Sequence, residues 1–258
     1  MISCTVSWEL ARAPVRVYAG PTPGGIDRDT PAAVARTETE VTIPRADPTA
    51  PVYFEVVARG ARHGPVVGDR YVGLAGAPNT RDLGGYQTFD GQRTRWGRLF
   101  RTDGLSAITD ADRARLAAVG LPDTCPDPVV EPVDDVTLRA AAASVTGPEA
   151  RARDQALLRR LARDPMPQWV QCDLFTDRLG WSAALLLATL GVANETIVAD
   201  HLTSARAGLP PPPDRAYLDL AFETIRRRYK TFGRYLVRGL GLDERTYLRL
   251  RERYVARR

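Results

Sequence analysis

Histidine and cysteine are scarce in this chain of 258 residues: it has two histidines, His63 and His201, and three cysteines, Cys4, Cys125 and Cys172. Cysteines so few and so widely spaced make neither a disulfide framework nor a metal knuckle, and two separate histidines do not complete a zinc site. No structural metal is therefore expected. No run of about 20 apolar residues occurs, which argues against a helical membrane span. The opening MISCTVSWEL has no basic flank leading into an apolar stretch, so no secretory leader is indicated and a cytoplasmic protein is the expectation. A glycine-rich dinucleotide fingerprint is missing too, and no cofactor is expected.

What the chain does contain is ordinary globular material. With 44% hydrophobic and 26% charged residues it can bury one large core or two modest ones. The net charge of +5 raises the question of nucleic acid. The basic residues are almost all arginine, however, and are interleaved with acids along helix-like segments. The densest cluster, Arg226-Arg227-Arg228-Tyr229-Lys230, lacks the repeated aromatic platforms and glycine-rich loops of RNA-binding modules. A solvated helix face, or a field that attracts small anionic substrates, fits better than nucleic-acid binding. The oligomeric state is left open.

The first 75 or so residues read as strands. CTVSWEL, VRVYAG, EVTIPR, VYFEVVARG and RYVGL alternate or cluster β-formers and are separated by turn-rich pieces such as GPTPGGIDRD. They predict a small all-β module, sandwich-like in the manner of fibronectin or immunoglobulin domains, over residues 1–75. Beyond it helices dominate. Thr109 and Asp112 form a capping box before a short helix that stops at Gly120, and Pro148 to Asp164 is amphipathic. Leu121 to Asp135 is proline-rich and reads as a loop or irregular edge strand. Gln168 to Cys172 is a short strand, and Gly180 to Leu190 is apolar on nearly every side, as a helix buried in the core would be. Helices are also predicted over Asn194 to Ala207, over Asp214 to Arg238 with a break near Gly233, and over Asp243 to Arg257, with Pro210 to Pro213 as a stiff connector.

Between the strand and the buried helix stands QCDLFTDR, a cysteine and an arginine six positions apart. A strand, a seven-residue turn bounded by Cys and Arg, and a buried helix resemble the catalytic loop of the cysteine-dependent tyrosine phosphatases, His-Cys-x5-Arg. NTRDLGGY from Asn79, RWGRLFRTDGL from Arg95 and ITDADRARLAAVG from Ile108 are similar to the opening of the bacterial tyrosine-phosphatase family that also includes lipid and phosphoinositide phosphatases. GWSAALLLATLGVANETIVADHL and YLDLAFETIRRRYKTFGRYLVRGLGLDE are similar to its later helices. The resemblance covers roughly residues 76–258. It implies an α/β fold, with a tyrosine-phosphatase-like central sheet flanked by helices and preceded by the β-module. It also implies Cys172 as nucleophile, Arg178 as phosphate clamp and Asp177 as candidate acid. In such a loop backbone N–H groups and the helix N-terminus converge on a phosphate and lower the thiol's pKa.

The loop then departs from that pattern. Gln171 stands where the family has histidine, Phe175 where it has the loop glycine, Thr176 where it has lysine, and Leu179 where it has Ser or Thr. Asp173 sets a carboxylate where a bound dianion would lie. At about 4 Å and an effective dielectric of 20, that repulsion is roughly 4 kcal/mol, or about three decades of affinity. The substitutions exchange glycine and polar groups for large apolar ones and add an acid, which is the composition of an apolar ligand site with a few convergent polar groups.

The leading expectation is accordingly a redeployed enzyme acting on a small bacterial metabolite by cyclisation, elimination or isomerisation. Its catalytic candidates are Cys172, Asp173, Asp177 and Arg178, and its substrate-binding candidates are Arg81, Asp82, Arg101, Leu174, Phe175, Thr176, Leu179 and His201. The alternatives are a phosphatase of low activity using Cys172 and a non-catalytic pseudophosphatase that binds a ligand or partner. Against all three stand plainer roles: an inert buried cysteine, a structural Asp177–Arg178 pair, arginines that stabilise a loop crossing, and a packed surface-edge His201.

Overall fold

The computed structural model describes residues 2–9, 13–45, 51–102, 104–125, 138–172, 176–208 and 214–256; at positions 2, 138–140, 171–172, 176–179 and 206–207 the backbone alone is described. Within these residues the chain is an α/β fold with its strands concentrated at the N-terminus. Strand β1 (Ile2–Ser7) pairs antiparallel with β4 (Glu40–Arg45). A four-stranded sheet runs in the order β3 (Ala33–Ala35), β2 (Val15–Gly20), β5 (Tyr53–Ala58), β6 (Val66–Gly68). Val6, Val15, Val17, Ile43, Phe54 and Val56 meet in one apolar cluster between these strands.

Two details of this region differ from the pattern expected. The RYVGL stretch contributes one isolated bridge, Tyr71 to Arg81, instead of a strand. The short strands β3 and β6, three residues each, carry too little alternation to stand out by period alone.

The central sheet is small. β7 (Arg81–Asp82) pairs antiparallel with β8 (Leu99–Thr102), which pairs in parallel with β9 (Gln168–Cys172). All four residues of β8 are buried, so it reads LFRT with a charge in the interior, and that arginine must find partners inside. α1 (Asp110–Ala118) starts on the predicted capping box: Thr109 accepts from the Asp112 N–H, and Asp112 accepts from the Thr109 N–H. The Asp112 carboxylate also takes the N–H groups of Ala75 and Gly76 at 2.8 and 2.9 Å, tying the helix to the chain that leads out of the β region.

α2 (Leu138–Thr146) was not expected. Its alanine-rich LRAAAASVT has high helix propensity, and it packs on α3 (Pro148–Arg163) and α6 (Arg215–Tyr229) with Ala141 and Val145, one turn apart, fully buried. The helix predicted over Gly180 to Leu190 is α4 (Thr176–Thr189), with Ala183 to Leu187 at most 2% exposed. α5 (Asn194–Leu202) runs into a 3₁₀ turn, Thr203–Ala207.

The break expected near Gly233 falls earlier. α6 stops at Lys230, whose φ of 70° is left-handed, and Thr231 then caps the short helix α7 (Phe232–Arg234) by accepting from the Arg234 N–H. A π-helical turn, Tyr235–Gly239, follows before α8 (Glu244–Tyr254). The connector at Pro210 to Pro213 and most of the proline-rich stretch before α2 lie outside the described residues. Among those described, no helix is long and apolar enough to cross a membrane.

Candidate functional site

The frame of the site is set by where β8, β9 and α4 end and begin. In the parallel pair, Arg101 stands opposite Gln171 and Thr102 opposite Cys172, after a register shift between Phe100 and Arg101. Such a bulge redirects the side chains that follow it. β9 ends at Cys172 and α4 begins at Thr176, so Asp177 and Arg178 belong to the first turn of the helix. The side chains expected to carry chemistry here, Cys172, Asp173, Leu174, Phe175, Thr176, Asp177, Arg178 and Leu179, lie outside the described residues.

Around the strand ends the described residues build a buried polar cluster whose centre is Asp200 of α5. Arg81 sends Nε to Asp200 Oδ1 at 3.0 Å and Nη2 to Oδ2 at 3.1 Å, a two-pronged pairing. Its Nη2 also reaches the Asp200 carbonyl at 2.7 Å and Ser204 Oγ at 3.1 Å, and Nη1 donates to Asn79 Oδ1. Arg101 Nη1 donates to the same Oδ2 at 3.1 Å, and the Tyr86 hydroxyl donates to Oδ1 at 2.6 Å. Asp200 thus accepts from two arginines and a tyrosine. Neither arginine has any exposed surface, and Asp200 is 3% exposed.

The electrostatics follow from the count of two guanidiniums on one carboxylate. Burial opposes ionisation of Asp200, but the charges of Arg81 and Arg101 outweigh it and hold its carboxyl well below the usual range. Burial, reinforced by the neighbouring charge of Arg81, brings Arg101 down to about 10, so it stays a cation at neutral pH. Arg101 Nε and Nη2 and Asn79 Nδ2 have no hydrogen-bond partner among the described residues. Among the described residues, a net positive charge with open donors therefore sits at the C-terminal ends of two parallel strands.

His201 is part of this neighbourhood, though not as the surface-edge residue expected. It is 1% exposed, and its ring lies flat where a side chain on Gly180 would be: a Cβ there would stand 2.3 Å from Nδ1. Among the described residues neither ring nitrogen has a partner at ordinary hydrogen-bond geometry, although the Asp214 backbone is near enough to favour the charged ring slightly. Burial, with the charge of Arg101 second, lowers its pKa to about 4, so the ring is neutral.

Asp82 is held elsewhere. Neighbours along a strand point to opposite faces, and while Arg81 turns to Asp200, Asp82 accepts from Tyr53 of β5 at 3.0 Å and from the N–H groups of Gly84 and Gly97 at 2.8 and 2.6 Å. Burial raises its carboxyl to about 6 despite these donors. With Tyr53 packed edge-on against Trp96, it joins the β region to the remainder of the chain.

Of the expected binding residues, then, Arg81, Arg101 and His201 come together and Asp82 does not. Asp200, Tyr86, Asn79 and Ser204 belong to the cluster and were not anticipated. The one sequence signal for Asp200 is an acid inside the largely apolar TIVADHL. No group of three His, Cys, Asp or Glu side chains among the described residues could hold a metal ion.

Comparison with known proteins places this geometry in context. A sequence model of a family described as the tyrosine phosphatase family matches residues 72–125 and 133–256. A predicted tyrosine-protein phosphatase of Cupriavidus necator is 29% identical in an alignment 166 positions long that covers 49% of this chain. The aligned part spans 60% of the length of that relative.

Proposed function

Given that the chain belongs to the tyrosine phosphatase family, we propose that it is an enzyme in which the strand–loop–helix site serves proton-transfer chemistry on a small metabolite. Cyclisation, elimination and isomerisation are the reaction types that suit it, in place of ordinary phosphomonoester hydrolysis. The observation that carries this is the loop sequence set into its frame: three residues, Asp173, Leu174 and Phe175, stand between the end of β9 and the start of α4. A phosphate cradle needs successive N–H groups free to converge on a dianion. Here the first of the three is an acid and the third a large aromatic in the place of glycine. An acid at the head of a helix suits the positive end of its dipole, and so competes for the charge that a phosphate would need.

The positive floor made by Arg81, Arg101 and Asp200 supports the same reading. Fixed donors in a dry site stabilise negative charge that develops on an enolate or carboxylate oxygen, and Asp173 or Asp177 supplies the base or acid. Residues 1–75 act in this reading as a β-module that walls the site, and the protein works in the cytoplasm.

A second reading, cysteine-dependent phosphatase activity, is favoured by the retained six-residue step from Cys172 to Arg178. The two separate on phosphate release from p-nitrophenyl phosphate at pH about 5 to 8, where a perturbed thiolate titrates. The expected result is no turnover above that of Cys172→Ser. Turnover abolished by that substitution would return the site to phosphatase chemistry. In the same assay Asp173→Ala combined with Phe175→Gly is expected to tighten vanadate binding by at least about tenfold, since removing the acid relieves a repulsion of a few kcal/mol. Unchanged affinity would show that these two residues are not what opposes the anion.

A further inference from the structure

The far end of α4 holds a second site. A cleft of about 880 Å³ lies between the last turn of α4, α6, the α7–π turn and α8. α4 has 14 residues, so at 1.5 Å per residue its ends are roughly 20 Å apart, and this cleft is separate from the loop that precedes Thr176. Its volume falls within the roughly 300–1,000 Å³ of small-molecule sites.

The walls state what would fit. Phe89, Phe222, Phe232, Leu236, Val237 and Tyr247 supply apolar and aromatic surface, with the rings of Phe222 and Phe232 6.4 Å apart and tilted by 54°. Phe89 and Val237 are 78% and 63% exposed, an unusual cost for residues of that size unless something covers them. Most charges of the lining have partners in or beside the cleft, and the other two, Lys230 and Glu244, are exposed to water. Glu223 binds Arg226 and Arg227 at 2.7 and 2.6 Å, Asp219 binds Arg215 at 2.9 Å, and Asp243 caps α8. The cleft therefore offers rings and aliphatic surface with no strong demand for a counter-charge.

The backbone of one wall is irregular in two places, and both border the cleft: Lys230 with its left-handed φ of 70°, and the π-helical turn at Tyr235–Gly239 that presents Leu236 and Val237. Conformations of this kind persist where the surroundings over-determine them and recur at ligand sites. We infer that this cleft binds a neutral, ring-bearing apolar small molecule, at a site distinct from the strand–loop–helix site and independent of its chemistry.

The test is a fluorescence titration of the full chain with N-phenyl-1-naphthylamine, a neutral aromatic probe. Expected are saturable binding at one site per chain, unchanged affinity in Cys172→Ser, and loss of about tenfold or more when a charge or a bulky ring occupies the cleft, in Val237→Asp and Ala188→Phe. Ala188→Phe fills the floor and risks the fold; Val237 is exposed, so its variant keeps the test decisive. Absence of saturable binding, or affinity unchanged in a folded Val237→Asp, overturns the inference. A chain mass that doubles with concentration while probe binding disappears would also overturn it, because a second copy would then be the occupant.

Discussion

Asp200→Asn keeps the shape of the side chain and removes the one carboxylate that two fully buried arginines share. Among the described residues the buried cluster passes from a net charge of +1 to +2. Breaking a buried pair on one side costs about 3–5 kcal/mol, since the remaining charge is left uncompensated. For domains with roughly 5–15 kcal/mol of stability that is a large fraction. In a urea titration followed by tryptophan fluorescence, a loss of about 4 kcal/mol with a slope near 2–3 kcal/mol/M moves the midpoint by more than about 1 M. Arg101→Met is the counter-test. Two of its donors already lack partners, so removing that cation is expected to cost less than about 1.5 kcal/mol and to recover part of the loss in the double variant. The reasoning fails if Asp200→Asn unfolds within about 1 kcal/mol of wild type, or if Arg101→Met is as damaging. The same pair separates structure from function: a stable Arg101→Met that has lost turnover marks the guanidinium as part of the working site.

His201 has a folded pKa of about 4 against an ordinary 6.5, so its neutral form is favoured by folding. The contribution is fully present above pH 6.5 and is lost as pH falls toward 4, a change of roughly 3 kcal/mol for 2.5 units. Asp82 and Asp154, both raised to about 6 by burial, oppose it by binding protons more tightly when folded. The informative quantity is therefore the difference between wild type and His201→Leu, which should shift by that amount in favour of the variant between pH 7 and 4; parallel curves would remove His201 as the cause. Gly180→Ala sets a methyl 2.3 Å from His201 Nδ1 and is expected to cost about 1–3 kcal/mol, as overpacking of a core does. The cost should largely vanish in combination with His201→Ala, and a Gly180→Ala protein as stable as wild type would show that the ring can move aside.

Much of the helical half could be read from the sequence because its signals are local. Thr109 and Asp112 reach no further than one helix turn, and the all-round apolar character of Ala183 to Leu187 admits few placements except the core. The cluster around Asp200 could not be read that way. Arg81 and Asp200 are 119 residues apart and meet only because β7 and α5 converge. Asp82 points away from Arg81 for a related reason: adjacent residues in a strand face opposite ways, and which one turns to the cluster is settled by the strands beside it. Gly180 did carry a clue to His201, since a glycine within an otherwise apolar helix often marks a close neighbour, but the neighbour's identity is a matter of packing.

The described bonds of the two arginines bear on where a substitution would be felt. The arginines stand on β7 and β8, and the hydrogen bonds described for them run to Asn79, Asp200 and Ser204. A substitution in the loop is accordingly expected to spare these bonds. The reverse does not hold, because a change at Asp200 reaches Arg81, Arg101 and Tyr86 at once. The cluster around Asp200 is therefore where a substitution is expected to carry the larger cost to the fold.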